Sequence, residues 1–149
     1  MRRSIFIGII ASVCILASAC QSGPHKASSA NEVSLVGTKW KLVELAGQVV
    51  VTKPGSNEYC YLQLTSDGKF SAFAGCNRIL GKYDQDEESS IRLTTTATTR
   101  MACVNMKTEQ VFREELKLVH NFVIKKAILT LNSADEVQLA RFEAVLESN

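Results

Sequence analysis

With 149 residues and a formal charge of only +2, the chain suits one ordinary globular domain and lacks the basic stripe of a nucleic-acid binder. Arg2 and Arg3 supply the excess charge: without them the basic count falls from 17 to 15, equal to the acidic count. Only two prolines occur, and no internal repeat or low-complexity run is present.

Residues 1–19 read as a signal peptide. Arg2 and Arg3 form a positive n-region, Ile5 to Leu16 an apolar run, and Ala17-Ser18-Ala19 a small-residue cleavage site. A spanning helix needs about 20 apolar residues, more than this segment offers. The Arg2-Arg3 pair would also fit a twin-arginine signal, although an ordinary n-region accounts for it. Cys20 then stands at the new terminus as a candidate lipid attachment site. Two processing routes stay open. Ala17-x-Ala19 suits soluble release, whereas a small residue before Cys20 suits lipoprotein processing, with Ala17 where the usual lipobox leucine stands and Leu16 one place too early. Stable anchoring requires two or more acyl chains, the modification that bacterial lipoproteins carry. Gln21 rather than aspartate after the cysteine favours outer-membrane delivery under the enteric sorting rule. The expected location is the cell envelope, lipid-anchored and facing the periplasm. Residues 20–34, polar and small in character, form the expected tether.

From Leu35 onward the chain is long enough to bury about two-thirds of its unfolded surface. Gly37-Thr38-Lys39-Trp40 opens a predicted strand that runs to Leu45, before Gly47 turns the chain. Tyr59 to Thr65 alternates, with Cys60, Leu62 and Leu64 on one face. Ser66-Asp67-Gly68 signals a hairpin into Lys69 to Ala74. Ile91 and Leu93 mark a short strand. Lys107 to His120 predicts one amphipathic helix, with Phe112, Leu116 and Val119 as its apolar stripe and Glu109, Arg113, Glu114 and Lys117 opposite. Thr108 is the expected N-cap, and Glu109 suits the positive helix end. Phe122 to Lys125, Leu129 to Leu131 and Val137 to Phe142 predict three further strands. Short turns between neighbours favour an antiparallel α+β domain.

Gly75-Cys76-Asn77-Arg78 is followed by Gly81-Lys82-Tyr83 and then by Thr98-Thr99-Arg100-Met101-Ala102-Cys103. Together with Leu35, Gly37-Thr38, Trp40-Lys41-Leu42 and the helix from Met106, this ordered set resembles the META domain of HslJ-like proteins across nearly all of residues 35–143, and 35–149 is taken as that domain. The resemblance implies a curved antiparallel sheet or incomplete β-barrel with one helix packed against it. It also implies links to heat response and novobiocin tolerance, no catalytic residues and no cofactor. Trp40, Gly75, Asn77, Tyr83, Thr99, Arg100 and Met101 become structural motif residues on this view.

Export would place Cys76 and Cys103 in an oxidising space, where paired thiols form disulfides. Their bridge would contribute about 3–4 kcal/mol in the chain-entropy model. A redox-active or metal-binding pair is the alternative, but no Cys-x-x-Cys occurs and neither histidine is near in sequence. Cys60 reads as a buried small hydrophobe. Cys14 lies in the leader. Asp84-x-Asp86-x-Glu88 begins like a calcium loop but lacks the sixth-position glycine and the distal glutamate, so a solvated turn is expected and no metal. The threonines from Thr94 to Thr99 suit either a polar groove or an exposed strand face. His25 falls in the tether, and His120 at the helix end. Arg100 is read as an internal hydrogen-bonding strut in preference to an anion site. No nucleophile elbow or zinc motif accompanies these residues. The expected function is a non-catalytic envelope module that binds a protein partner or apolar ligand through its concave sheet or helix groove, and the membrane through its N-terminal lipid. A structural or stress-protective role is the alternative, and an enzyme the weakest reading.

Overall fold

The computed structural model describes residues 33–51, 59–86 and 88–146. The leader, Cys20, His25 and most of the tether lie outside them. Val33 already packs against the core, two residues before the expected Leu35 boundary.

Among the described residues, nine strands and one helix follow in the order β1 (Lys39–Leu45), β2 (Gln48–Val49), β3 (Tyr61–Leu64), β4 (Lys69–Phe73), β5 (Arg78–Asp84), β6 (Arg92–Thr98), α1 (Lys107–Leu118), β7 (Asn121–Lys125), β8 (Ile128–Asn132) and β9 (Gln138–Val145). Eight strands form one curled antiparallel sheet, β6-β5-β4-β3-β1-β9-β8-β7, and β2 pairs beside β1. The α+β expectation of an incomplete barrel with one helix packed against it is what the described residues form.

Alternation sets which face is buried. Trp40 and Leu42 point inward two residues apart, but the next inward residue, Leu45, comes three later. A bulge between Leu42 and Glu44 in the pairing with β9 absorbs the extra residue. Leu62, Leu64, Phe70, Ala72, Ile79, Leu129, Leu131 and Phe142 line the same concave side. Phe70 lies opposite Gly81, where a Cβ would overlap the Phe70 ring and the Thr94 carbonyl. Only glycine permits that close approach.

Helix α1 plugs the concave side. Phe112 and Leu116 are buried, and the Phe112 ring lies 6.2 Å from that of Phe142. Each such side chain contributes about 1.5–3 kcal/mol by leaving water. The helix ends two residues earlier than expected, at Leu118, with Val119 extended. Its N-cap is Met106, not Thr108, and Asn105 Oδ1 accepts the Lys107 amide at 3.2 Å.

The barrel closes at one end of its seam only. Ser90 bridges Asn121, the Ile91 amide donates to the His120 carbonyl, and the Phe122 amide donates to the Ser89 carbonyl, both at 2.9 Å. Further along β6 the seam parts and α1 packs in its place. Two strands run longer than the hydrophobic pattern indicates: β6 continues through the largely exposed Thr94–Thr98, and β9 through exposed Glu143 and half-buried Ala144 and Val145. Strand β5 covers the motif residues Arg78 to Tyr83, ends at Asp84 and has no expected counterpart.

Candidate functional site

Gly75 holds φ at +113°, a backbone that side-chain-bearing residues rarely adopt, and directs the chain into Cys76. Cys76 and Cys103 are joined by a disulfide with Cα atoms 6.1 Å apart. The bridge ties the β4–β5 connection to the segment that enters α1.

Beside it lies a buried polar hub. Asn77 is 3% exposed and Glu109 1%. The Asn77 amide donates to Glu109 Oε2 at 2.6 Å, and Asn77 Nδ2 donates to Oε1 at 3.0 Å. Asn77 Oδ1 in turn accepts the Met101 amide at 2.7 Å and the Thr99 hydroxyl at 3.1 Å. The Thr99 oxygen also accepts the Arg78 amide at 3.0 Å. One asparagine thus joins the start of β5, the chain after β6 and the first turn of α1. Full satisfaction is what permits burial of so many polar atoms.

Glu109 corrects the expected outward face of α1. It stands three residues before Phe112 and seven before Leu116, which is the spacing of the apolar stripe itself. The periodicity pointed inward; the charge argued outward. Location in the first helical turn, near the positive end of the dipole, suits an acceptor carboxyl group.

The other motif residues separate by role. Trp40 is fully buried, and its Nε1 donates to the Leu35 carbonyl at 3.0 Å. The Tyr83 hydroxyl donates to the Thr65 carbonyl at 3.0 Å, bracing the β3–β4 turn. Arg100, expected as an internal strut, is exposed. Met101 turns its amide inward to Asn77 while the residue as a whole is 61% exposed.

Outside the hub lies an open groove of about 750 Å³, between the Thr95–Thr98 stretch of β6, the Thr99–Ala102 segment and α1. Arg100, Met106 and Arg113 line it, and no carboxylate occurs among its described lining residues apart from the hub behind it. β6 is a sheet edge, paired through its length with β5 alone. The threonine run is therefore both an exposed strand face and a groove wall. A bulge at Thr96 interrupts that edge, and the Thr96 hydroxyl donates to the Leu80 carbonyl at 3.3 Å.

The remaining candidates hold their places on the surface. Asp86 pairs with Arg92 at 2.9 Å, and among the described residues no group of three or more His, Cys, Asp or Glu could hold a metal ion. Cys60 is a half-buried free thiol whose pKa is raised by burial. Among the described residues no helix is long and apolar enough to cross a membrane.

A curled antiparallel half-barrel plugged by one helix, with a cystine and an asparagine–glutamate hub at the helix entry, defines the class of this domain. The META domain family model matches residues 33–146, and the chain belongs to that family. A protein from Burkholderia xenovorans, solved by NMR, superposes with a TM-score of 0.59 at 22% identity, over 76% of this chain and 85% of that one. A DUF4847 family protein from Bacteroides vulgatus ATCC 8482, solved by crystallography, gives 0.55 at 12% identity, over 76% and 96%. These likenesses establish the fold. No curated protein matches the sequence.

Proposed function

We propose that this protein is a non-catalytic binding module of the cell envelope, held to the outer membrane by lipid on Cys20. Its groove beside β6 receives an extended, acidic polypeptide segment. The observation that carries the reading is the groove itself: an open strand edge next to two guanidinium groups, Arg100 and Arg113. An edge strand offers unpaired N–H and C=O groups to an added strand, and the neighbouring side chains select its sequence. The Thr96 bulge bends the edge away from flat pairing with further copies, which favours a short, specific segment. The concave side is filled by its own core, so the polar groove is the accessible surface for recognition.

A photoreactive residue at Ala97, in the groove, compared with one at Val137, an exposed site on the β8–β9 turn, tests this in intact cells. The reading expects an adduct from Ala97 alone, mapping to an acidic stretch of an envelope protein and lost in Arg100→Glu/Arg113→Glu. Equal adducts from both positions, or an adduct indifferent to those charges, would overturn it. Mass analysis of the mature N-terminus tests the anchor separately: diacylglyceryl-modified Cys20 supports it, and a chain beginning with an unmodified residue contradicts it.

A further inference from the structure

The convex side of the sheet carries a second surface. Pairing registers place Lys41, Tyr61, Phe73 and Arg78 in one row across β1, β3, β4 and β5. The next outward row runs Lys39, Gln63, Ser71 and Leu80. Tyr61 and Phe73 stack with centroids 6.3 Å apart, and Tyr59 meets Tyr61 edge-on at 6.5 Å. Lys39 Nζ stands 4.4 Å from the Tyr61 centroid and 5.1 Å from that of Tyr59. The three rings are only partly buried, and Arg78 and Leu80 are exposed. Lys82 extends the positive charge one row further, opposite Lys69, which is held by Asp67. Glu143, paired in register with Lys41, is the acidic residue that borders this face on the β9 side.

We infer that this aromatic and cationic face is a docking surface for an anionic phospholipid bilayer. Tyrosine and phenylalanine rings suit the headgroup boundary, where an apolar body meets water, and lysine and arginine suit the phosphate layer. The position of the face agrees with this occupant. Lys39 is the first residue of β1, and the described chain begins close by at Val33. Cys20 precedes Val33 by about a dozen residues, which span at most roughly 45 Å when fully extended. A lipid on Cys20 therefore keeps the bilayer within reach of this face. The inference rests on the anchor reading for that proximity alone; attraction of the face to anionic lipid is a property of its own residues.

The test uses the chain from residue 20 with Cys20→Ser, which retains every core side chain described above. It is sedimented with vesicles of phosphatidylethanolamine and phosphatidylglycerol, or of phosphatidylcholine alone. The expected result is binding to the phosphatidylglycerol vesicles only, weakened by salt. Lys39→Gln/Arg78→Gln should lower the partition constant about 25-fold, at about fivefold per charge near an anionic surface. Lys41→Gln/Lys82→Gln, which keeps Lys39 against the tyrosine rings, should do the same and serves if the first pair fails to fold. Equal binding to both vesicle types, no binding to either, or a folded charge variant that binds undiminished would overturn the inference. Vesicle binding together with an unlipidated native Cys20 would uphold the face while refuting the anchor.

Discussion

Two regions separated by a single turn of chain behave oppositely. In the hub, Asn77 and Glu109 are closed to solvent, every contact is satisfied, and a disulfide pins the backbone on both sides. In the groove, the β6 edge and Arg100 face water. Residues 99–101 serve both: the Thr99 hydroxyl and the Met101 amide turn inward to Asn77, and Arg100 between them turns out. The difference teaches that most of the family motif builds a closed frame, and the recognition proposed above falls to the edge beside it. Substitutions inside the hub should therefore cost stability, and those on the edge should cost binding.

The largest effect is expected for Asn77→Asp, which sets an oxygen where Nδ2 now donates to Glu109. Two carboxyl groups would then face each other without a buried cation, a loss of about 3–5 kcal/mol measured by denaturant unfolding. Cys103→Ser follows, at about 3 kcal/mol from loss of the cross-link, with Cys76 becoming reactive to alkylation on unfolding. Glu109→Gln should cost about 1–3 kcal/mol, because one of its two acceptors becomes a donor facing a donor. Arg100→Ala, on the open side, should leave stability within about 0.5 kcal/mol while weakening the adduct formed from Ala97.

The smallest effect concerns pH. Asp67 lies in the β3–β4 turn, where hydrogen bonds from Lys69 and Thr65 lower its pKa to about 2. A depressed carboxyl pKa adds stability above its ordinary value, near 4, and that contribution disappears as pH falls through about 2. Asp67→Asn should therefore lower the melting temperature slightly at neutral pH, with the difference closing as pH falls from about 4 to about 2, which flattens the acid limb of the profile.

Much of the frame was legible because period-two alternation and turn residues are local signals. Leu62 and Leu64 and the Phe112/Leu116 stripe declared their faces. The strands were hardest where the pattern carries little hydrophobic contrast. Thr94–Thr98 is polar on both faces, and Arg78–Asp84 owes its inward surface to Ile79 and to Gly81 filled by Phe70 across the sheet. Glu109 was misplaced because its partner lies 32 residues away, and no local rule foresees a buried carboxyl satisfied by an asparagine side chain and a backbone amide. Arg100 was assigned inward on its motif neighbours, whereas alternation about Thr99 and Met101 turns it to solvent. The groove arises where β6 parts from β7 and α1 packs beside it, a tertiary event that sequence spacing does not encode.

Amide hydrogen exchange on the protein expressed from its full sequence, purified in detergent and then in envelope vesicles, tests the contrast most directly. The account predicts that the Asn77 and Met101 amides exchange only with global unfolding in both settings. Amides of the Thr95–Thr98 edge should exchange quickly in detergent and gain protection in the vesicles. Hub amides as labile as the edge, or an edge with no added protection in the envelope, would contradict it.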